Sequence, residues 1–338
     1  MKVLKQSIGI DISKDSLSCC FGYVDQKQNE HFSKSKSFSN NEHGFESLLK
    51  WAEGKSLIED VWYVMEATGV YYENLAYWLL EKKILVSVFL PVKVKYYAKT
   101  LEIKTKTDLV DAMILSKIGL ERKLRKWAVP SPMMHHIKGL TREYRENKAK
   151  LVISKNQMHA KTHAHKCLSS SLRRLKKQIR LLENQLLEIE AELRVLVMSD
   201  PILSDRIEKV QSIPGISFMT IVCILGETNG FALVSNGKQL ASYAGLDIRH
   251  KQSGKKEGKS KISKQGNNYI RSALYMPALC SSMHNPDMKA FYHRINEGKP
   301  SKKIGVIAVA RKLLILIYTL WKNNTEFIPN YSLQIQSV

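Results

Sequence analysis

The chain has 338 residues, with 53 Lys and Arg against 31 Asp and Glu and a formal net charge of +22. Its 44% hydrophobic content excludes a disordered chain, its length suits two or three domains, and its charge points to a polyanionic partner. No apolar run reaches the ~18 uncharged residues of a membrane span; the nearest, Ile304–Trp321, is broken by Arg311 and Lys312.

In chain order, residues 6–12, 16–24 and 31–38 read as strands, with a turn-like Asp25–Asn29 between the second and third. Asn41–Gly54 reads as a helix with Phe45, Leu48, Leu49 and Ala52 on one side. Val61–Met65 is a buried strand, Tyr72–Lys83 a helix, and Ile84–Leu90 a strand ended by Pro91. Strands followed by alternating helices and strands predict an α/β domain with a central sheet.

From about Pro132 long helices take over. Leu172, Leu175, Ile179, Leu182, Leu186, Ile189, Leu193 and Leu196 follow a 3-4 spacing, the seam of a coiled coil. A weaker version runs from Ile137 to Leu168, and Ser169–Ser171 reads as the turn of a helical hairpin. The hairpin could pair with another subunit; the alternative is a helix buried inside its own domain. Pro201 ends the seam. Helices near 202–211, 217–227 and 236–244 follow, then a basic loop over 247–265, helices at 266–283 and 301–323, and a polar, frayed tail after Asn324. The expected fold is α/β plus α: residues 1–130, an arm over 131–200, and a mostly helical region over 201–330.

Cys19, Cys20, Cys167, Cys223 and Cys280 show no C-x-x-C pair and no zinc spacing, which fits a reducing cytoplasm. The acids are more informative. Asp11 lies in a buried-strand pattern, Glu66 ends a second apolar run, and Asp108 and Asp111 share a helix face at i, i+3. Clustered carboxylates in a basic protein would repel a phosphate backbone unless hard cations such as Mg²⁺ lay between them. A strand-borne Asp, a Glu ending a neighbouring strand and a helical Asp pair resemble the RNase H-like nuclease site. There, two Mg²⁺ ions flank the scissile phosphate.

Ser253 sits among cations: Arg249, Lys251, Lys255, Lys256, Lys259, Lys261 and Lys264. Composition alone reads this as a loop that contacts phosphates. A serine nucleophile needs activation, which dense cations can assist. Lys104 and Lys106, with Lys93, Lys95 and Lys99, read as a further nucleic-acid face before the helical Asp pair. Ser212–Ile216 is a tight Pro-Gly turn into a helix, open to a phosphate-binding or a purely structural reading. His159, His163 and His165 have no acidic or thiol partner nearby and take a structural reading.

These pieces in this order resemble the DEDD-type insertion-sequence transposases, described as bridge-RNA-guided serine recombinases. The matching stretches are Gly9–Lys14, Met65–Tyr71, Lys106–Ala112, Ile213–Gly215, Leu240–Leu246, Gln252–Gly254 and Lys261–Asn267, spanning about residues 6–320. The resemblance implies an RNase H/RuvC-like N-terminal domain with a Mg²⁺ tetrad of Asp11, Glu66, Asp108 and Asp111. It implies a long coiled-coil helical hairpin and a C-terminal transposase domain whose nucleophile is Ser253. It also implies donor and target DNA and a structured guide RNA as partners, and a homo-oligomer, dimer or tetramer, with acids and serine from different subunits. Family members often carry two serines before the glycine; here Gln252 precedes Ser253, so one serine aligns. Rival readings are a metal-dependent structure-selective nuclease resembling a Holliday-junction resolvase, with Ser253 idle, and a non-enzymatic basic scaffold.

Overall fold

A computed structural model describes residues 2–101, 103, 107–249, 252–253, 256–257 and 261–329. The chain divides into two compact units, Met1–Ala128 and Val129–Val338.

The first unit is built on a mixed sheet. β1 (Val3–Ile12) and β2 (Ser16–Asp25) are antiparallel, and β3 (Glu30–Phe32) and β4 (Lys36–Ser39) both pair with β2. Then come α1 (Glu42–Glu53), β5 (Trp62–Glu66), α2 (Glu73–Glu81), β6 (Leu85–Phe89), α3 (Pro91–Thr100) and α4 (Asp108–Glu121). The strand order is β3-β2-β1-β5-β6, with β5 parallel to β1 and β6 parallel to β5.

Successive strand residues point to opposite faces, and β1 uses this to sort its side chains. Ile8, Ile10 and Ile12 join Met65 and the buried sides of α1 and α2 in one core. Ser7, Gly9 and Asp11 face the other way. On that face Val64 packs with Val94 and Tyr97 of α3 and Ile114, Leu115 and Ile118 of α4. Helices cover both faces of the sheet, a mixed α/β architecture consistent with the RNase H-like expectation.

The second unit starts with two long helices, α5 (Pro132–Thr162) and α6 (Ser169–Met198). After them come α7 (Pro201–Gln211), α8 (Phe218–Thr228), α9 (Gly237–Tyr243), four two-residue strands, β7 (Ile248–Arg249), β8 (Gln252–Ser253), β9 (Lys256–Glu257) and β10 (Lys261–Ile262), then α10 (Asn268–His284), α11 (Pro286–Asn296) and α12 (Lys303–Asn323). Near the turn, α5 and α6 share a small cluster of Leu151, Ile179 and Leu182. At the base, Ile137, Leu140, Ile189, Leu193 and Val197 merge into the large core formed with α7 to α12. Among the described residues, α12 alone is long and apolar enough to cross a membrane; Val309, Leu313, Leu314 and Ile317 lie in this core.

Several boundaries differ from the sequence expectation, each for a local reason. The strand expected over 31–38 is two strands, because Ser33 Oγ accepts from Phe21 N–H at 3.2 Å and the chain leaves the ladder there. Pro91 opens a helix as well as ending a strand, since its fixed φ suits the first helical position. The hairpin turns at 163–168; Ser169–Ser171 form the first turn of α6. The same cap logic yields α11, absent from the expectation: Asn285 Oδ1 accepts from Met288 N–H at 3.2 Å, and Pro286 takes the first helical position. The basic loop is partly paired into ribbons.

Candidate active site

Parallel pairing sets Ile10 against Met65. Asp11 and Glu66 follow them, at the ends of neighbouring strands and on the face covered by α4. The approach of α4 depends on missing side chains. A Cβ on Gly9 would lie 2.0 Å from Ala112 O and 2.1 Å from Ser116 N, and one on Gly119 would lie 2.6 Å from Ser7 Cβ. With those positions bare, the helix rests on the strand backbone. Ser7 Oγ donates to Ser116 O at 2.7 Å, and Ser116 Oγ donates to Ser7 O at 3.2 Å. The first turn of α4, carrying Asp108 and Asp111, is thereby held over the end of β1. Thr107 Oγ1 caps it by accepting from Val110 N–H at 3.3 Å.

The four acids share one electrostatic field. Asp11 is half-buried, and its pKa is raised to about 6, first by burial, then by Asp111, Asp108 and Glu66. The positive end of the α4 dipole partly offsets the crowding. Glu66 is oriented by Thr68, whose Oγ1 donates to Glu66 Oε1 at 3.0 Å. The donor set is all hard oxygen, the kind Mg²⁺ and its relatives select, and its like charges are what a divalent cation neutralises. Among the described residues no three His, Cys, Asp or Glu groups stand at ligand spacing, so the acids share a face without closing on one point.

In the second unit, the basic stretch begins as a ribbon. Ile248 pairs with Ile262 and Arg249 with Lys261. Farther along, Gln252 pairs with Glu257 and Ser253 with Lys256. Ser253 thus lies opposite Lys256 in a second short antiparallel pairing. Arg249, Lys261 and Lys264 are exposed. Lys104, Lys106, Lys251, Lys255 and Lys259 lie outside the described residues.

The ribbon's stems are anchored by groups that sequence reasoning missed. Arg271 Nη1 donates to Ala244 O at 2.7 Å and Gly266 O at 3.1 Å, tying both stems together. Ser263 Oγ donates to the Asp247 carboxylate. Glu227, 2% exposed, receives Arg142 Nε at 2.6 Å and Nη2 at 3.0 Å, and Asn267 Nδ2 at 2.6 Å. Asn267 Oδ1 also caps α10 through Tyr269 and Ile270 N–H. Arg142 and Arg145 both lie over the Tyr269 ring, at 4.4 and 4.5 Å. One buried carboxylate therefore links α5, α8 and the end of the ribbon. Ser212–Ile216 has a structural place: Ser281 Oγ donates to Pro214 O at 3.1 Å, and Gly215 adopts a φ of +88° against α10.

Comparison with known proteins supplies the family. Residues 8–184 match the model of the DEDD transposases of the IS110 type, and residues 207–293 match the transposase IS116/IS110/IS902 family. The pilin gene-inverting protein of Moraxella bovis is 31% identical over 326 residues, covering 96% of this chain and 98% of the relative. The pilin gene-inverting protein of Moraxella lacunata is 31% identical over 329 residues, with the same coverage. The transposase for insertion sequence element IS1111A of Coxiella burnetii is 26% identical over 136 residues, 39% of this chain and 36% of that one.

Proposed function

This chain belongs to the IS110 family of DEDD transposases, and from that premise we propose that it cuts and rejoins DNA through a serine–phosphate intermediate, with Mg²⁺ as metal and a structured RNA as guide. DNA recombination activity, a DNA substrate and a divalent-metal dependence come with the family. The further steps are our reading.

Asp11, Glu66, Asp108 and Asp111 are the residues that would hold the metal. A divalent cation held there would supply charge to neutralise the phosphate and stabilise the leaving oxygen. The observation that carries the assignment is the shared field at Asp11, where all three other acids act on one carboxyl. Ser253 is the nucleophile. Its hydroxyl gives up a proton, its oxygen bonds to phosphorus, and the displaced strand oxygen takes a proton. The reverse sequence with a new strand end rejoins DNA without loss of the phosphodiester energy. Arg249, Lys261 and Lys264 hold the phosphates on either side, and the anchored stems keep the ribbon in one geometry.

A purely hydrolytic nuclease would leave Ser253 idle. The Moraxella relatives are named for inverting a gene, an operation in which every cut end is joined again, and this favours recombination. We assign residues 1–130 to the metal, 131–200 to a coiled-coil arm that pairs subunits, and 201–330 to the serine. With a recombination substrate, guide RNA and Mg²⁺, Asp11→Ala and Ser253→Ala should each bind DNA like the wild type and yield no joined product. Joining by Ser253→Ala would refute the nucleophile, and joining by Asp11→Ala would refute the metal assignment.

A further inference from the structure

The end of the α5–α6 hairpin has a composition unlike the rest of the chain. The 36 residues from Asn147 to Leu182 contain no Asp and no Glu, and no Phe, Tyr or Trp. They contain seven Lys and three Arg, all ten exposed. Among the described residues only Lys155 has an acidic partner, Glu183 at 2.7 Å. Acids return directly afterwards: Glu183, Glu188, Glu190 and Glu192 lie in the next ten residues of α6. The arm is thus polarised along its length, with a purely cationic end and a mixed base. Ten cations on a two-helix projection, only Lys155 of them with an acidic partner among the described residues, repel one another, and salt screens them only in part. No packing need explains them, since the small cluster of Leu151, Ile179 and Leu182 already joins the two helices there.

We propose that the hairpin end is a clamp for the phosphate backbone of a nucleic-acid duplex, separate from the carboxylate and serine sites. Lysine predominates, and lysine is a mobile point charge suited to phosphates in any sequence context. Single-strand binders place large aromatic rings under the bases; this segment has no Phe, Tyr or Trp, and of its three histidines His159 and His163 set their rings against each other at 4.3 Å, which favours a paired backbone as the ligand. From Lys148 to Thr162 the exposed part of α5 is about 22 Å long at 1.5 Å per residue, comparable to roughly six base pairs. The chemistry is shared by a DNA arm of the recombining site and by a stem of a structured RNA. This inference does not depend on the serine chemistry.

The test is binding in EDTA, where no strand is cut. Arg173→Gln, Arg174→Gln, Lys176→Gln and Lys177→Gln are combined in the full chain, since glutamine keeps helix propensity. A second variant neutralises Lys148, Lys150 and Lys161 on α5. Circular dichroism melts check that both fold. Probes are a 30-base-pair DNA of arbitrary sequence, an RNA stem of equal length and oligothymidylate. On the duplex that is the ligand, the log–log salt slope should flatten by about 0.9 for each lost contact, and affinity near physiological salt should fall at least about tenfold. A loss on DNA alone or RNA alone supports the clamp and identifies the source; equal losses support backbone recognition common to both. Unchanged slopes on both duplexes, or a loss confined to oligothymidylate, overturn the proposal.

Discussion

At the scale of single residues, Asp11 and Gly9 are two positions on one strand face with opposite demands. In metal-free protein the Asp11 carboxyl takes its proton near pH 6, whereas in the unfolded chain it does so near 3.9. The folded state therefore binds more protons between about pH 4 and 6, and stability falls as pH rises through that window. Asp11→Asn should remove this slope and raise metal-free stability at pH 7 by about 1 kcal/mol, a figure kept small because the group is half exposed to screening solvent. Thermal melts in EDTA across pH 4–8 check it; a wild-type slope in the variant would refute the shared field. Gly9→Ala should cost about 3 kcal/mol or prevent folding, because its methyl would displace the α4 backbone. Denaturant melts decide this, and a loss below about 1 kcal/mol would refute the close packing. The acids were legible because each sits where a strand or helix pattern ends. The bare positions under α4 were not, since close approach of two backbones is a tertiary property with no periodic signal.

At the scale of elements, apolar spacing announced most helices and strands, and the misses lie where local hydrogen bonds decide. The Ser33 break in the third strand and the start of α11 at Asn285-Pro286 are set by single side-chain bonds. Glu227 was invisible for a different reason: an acid near the end of an apolar helix reads as a surface residue, and only the fold brings Arg142 to it from 85 positions away. Removing one partner of a buried pair leaves an uncompensated charge. Arg142→Ala should therefore destabilise the second unit by about 3 kcal/mol, even with the Asn267 bond retained. Because Asn267 also ends the ribbon's stem, recombination should fall more steeply than stability accounts for. A variant melting like the wild type would show that Glu227 is satisfied without the guanidinium.

At the scale of the whole molecule, the +22 charge is unevenly spread, and ten of its cations lie on the arm's end. Affinity for duplex DNA should drop sharply with salt, with a log–log slope of about −0.9 per phosphate contact; titrations between low and physiological salt that give a flat line would contradict a backbone-dominated interface. Length and charge announced a polyanion partner and a multi-part chain, whereas the chemistry we propose for that partner turns on Ser253, whose neighbourhood reads as an ordinary basic loop by composition. The most direct measurement is therefore covalent. Wild-type protein is incubated with labelled target DNA, guide RNA and Mg²⁺, quenched in denaturant, digested, and its peptides analysed by mass spectrometry. The account predicts a deoxynucleotide joined through phosphate to Ser253, absent from Ser253→Ala and from Glu66→Ala. Cut DNA with no protein-linked nucleotide, at equal rates in wild type and Ser253→Ala, would contradict it and make the enzyme a hydrolytic nuclease.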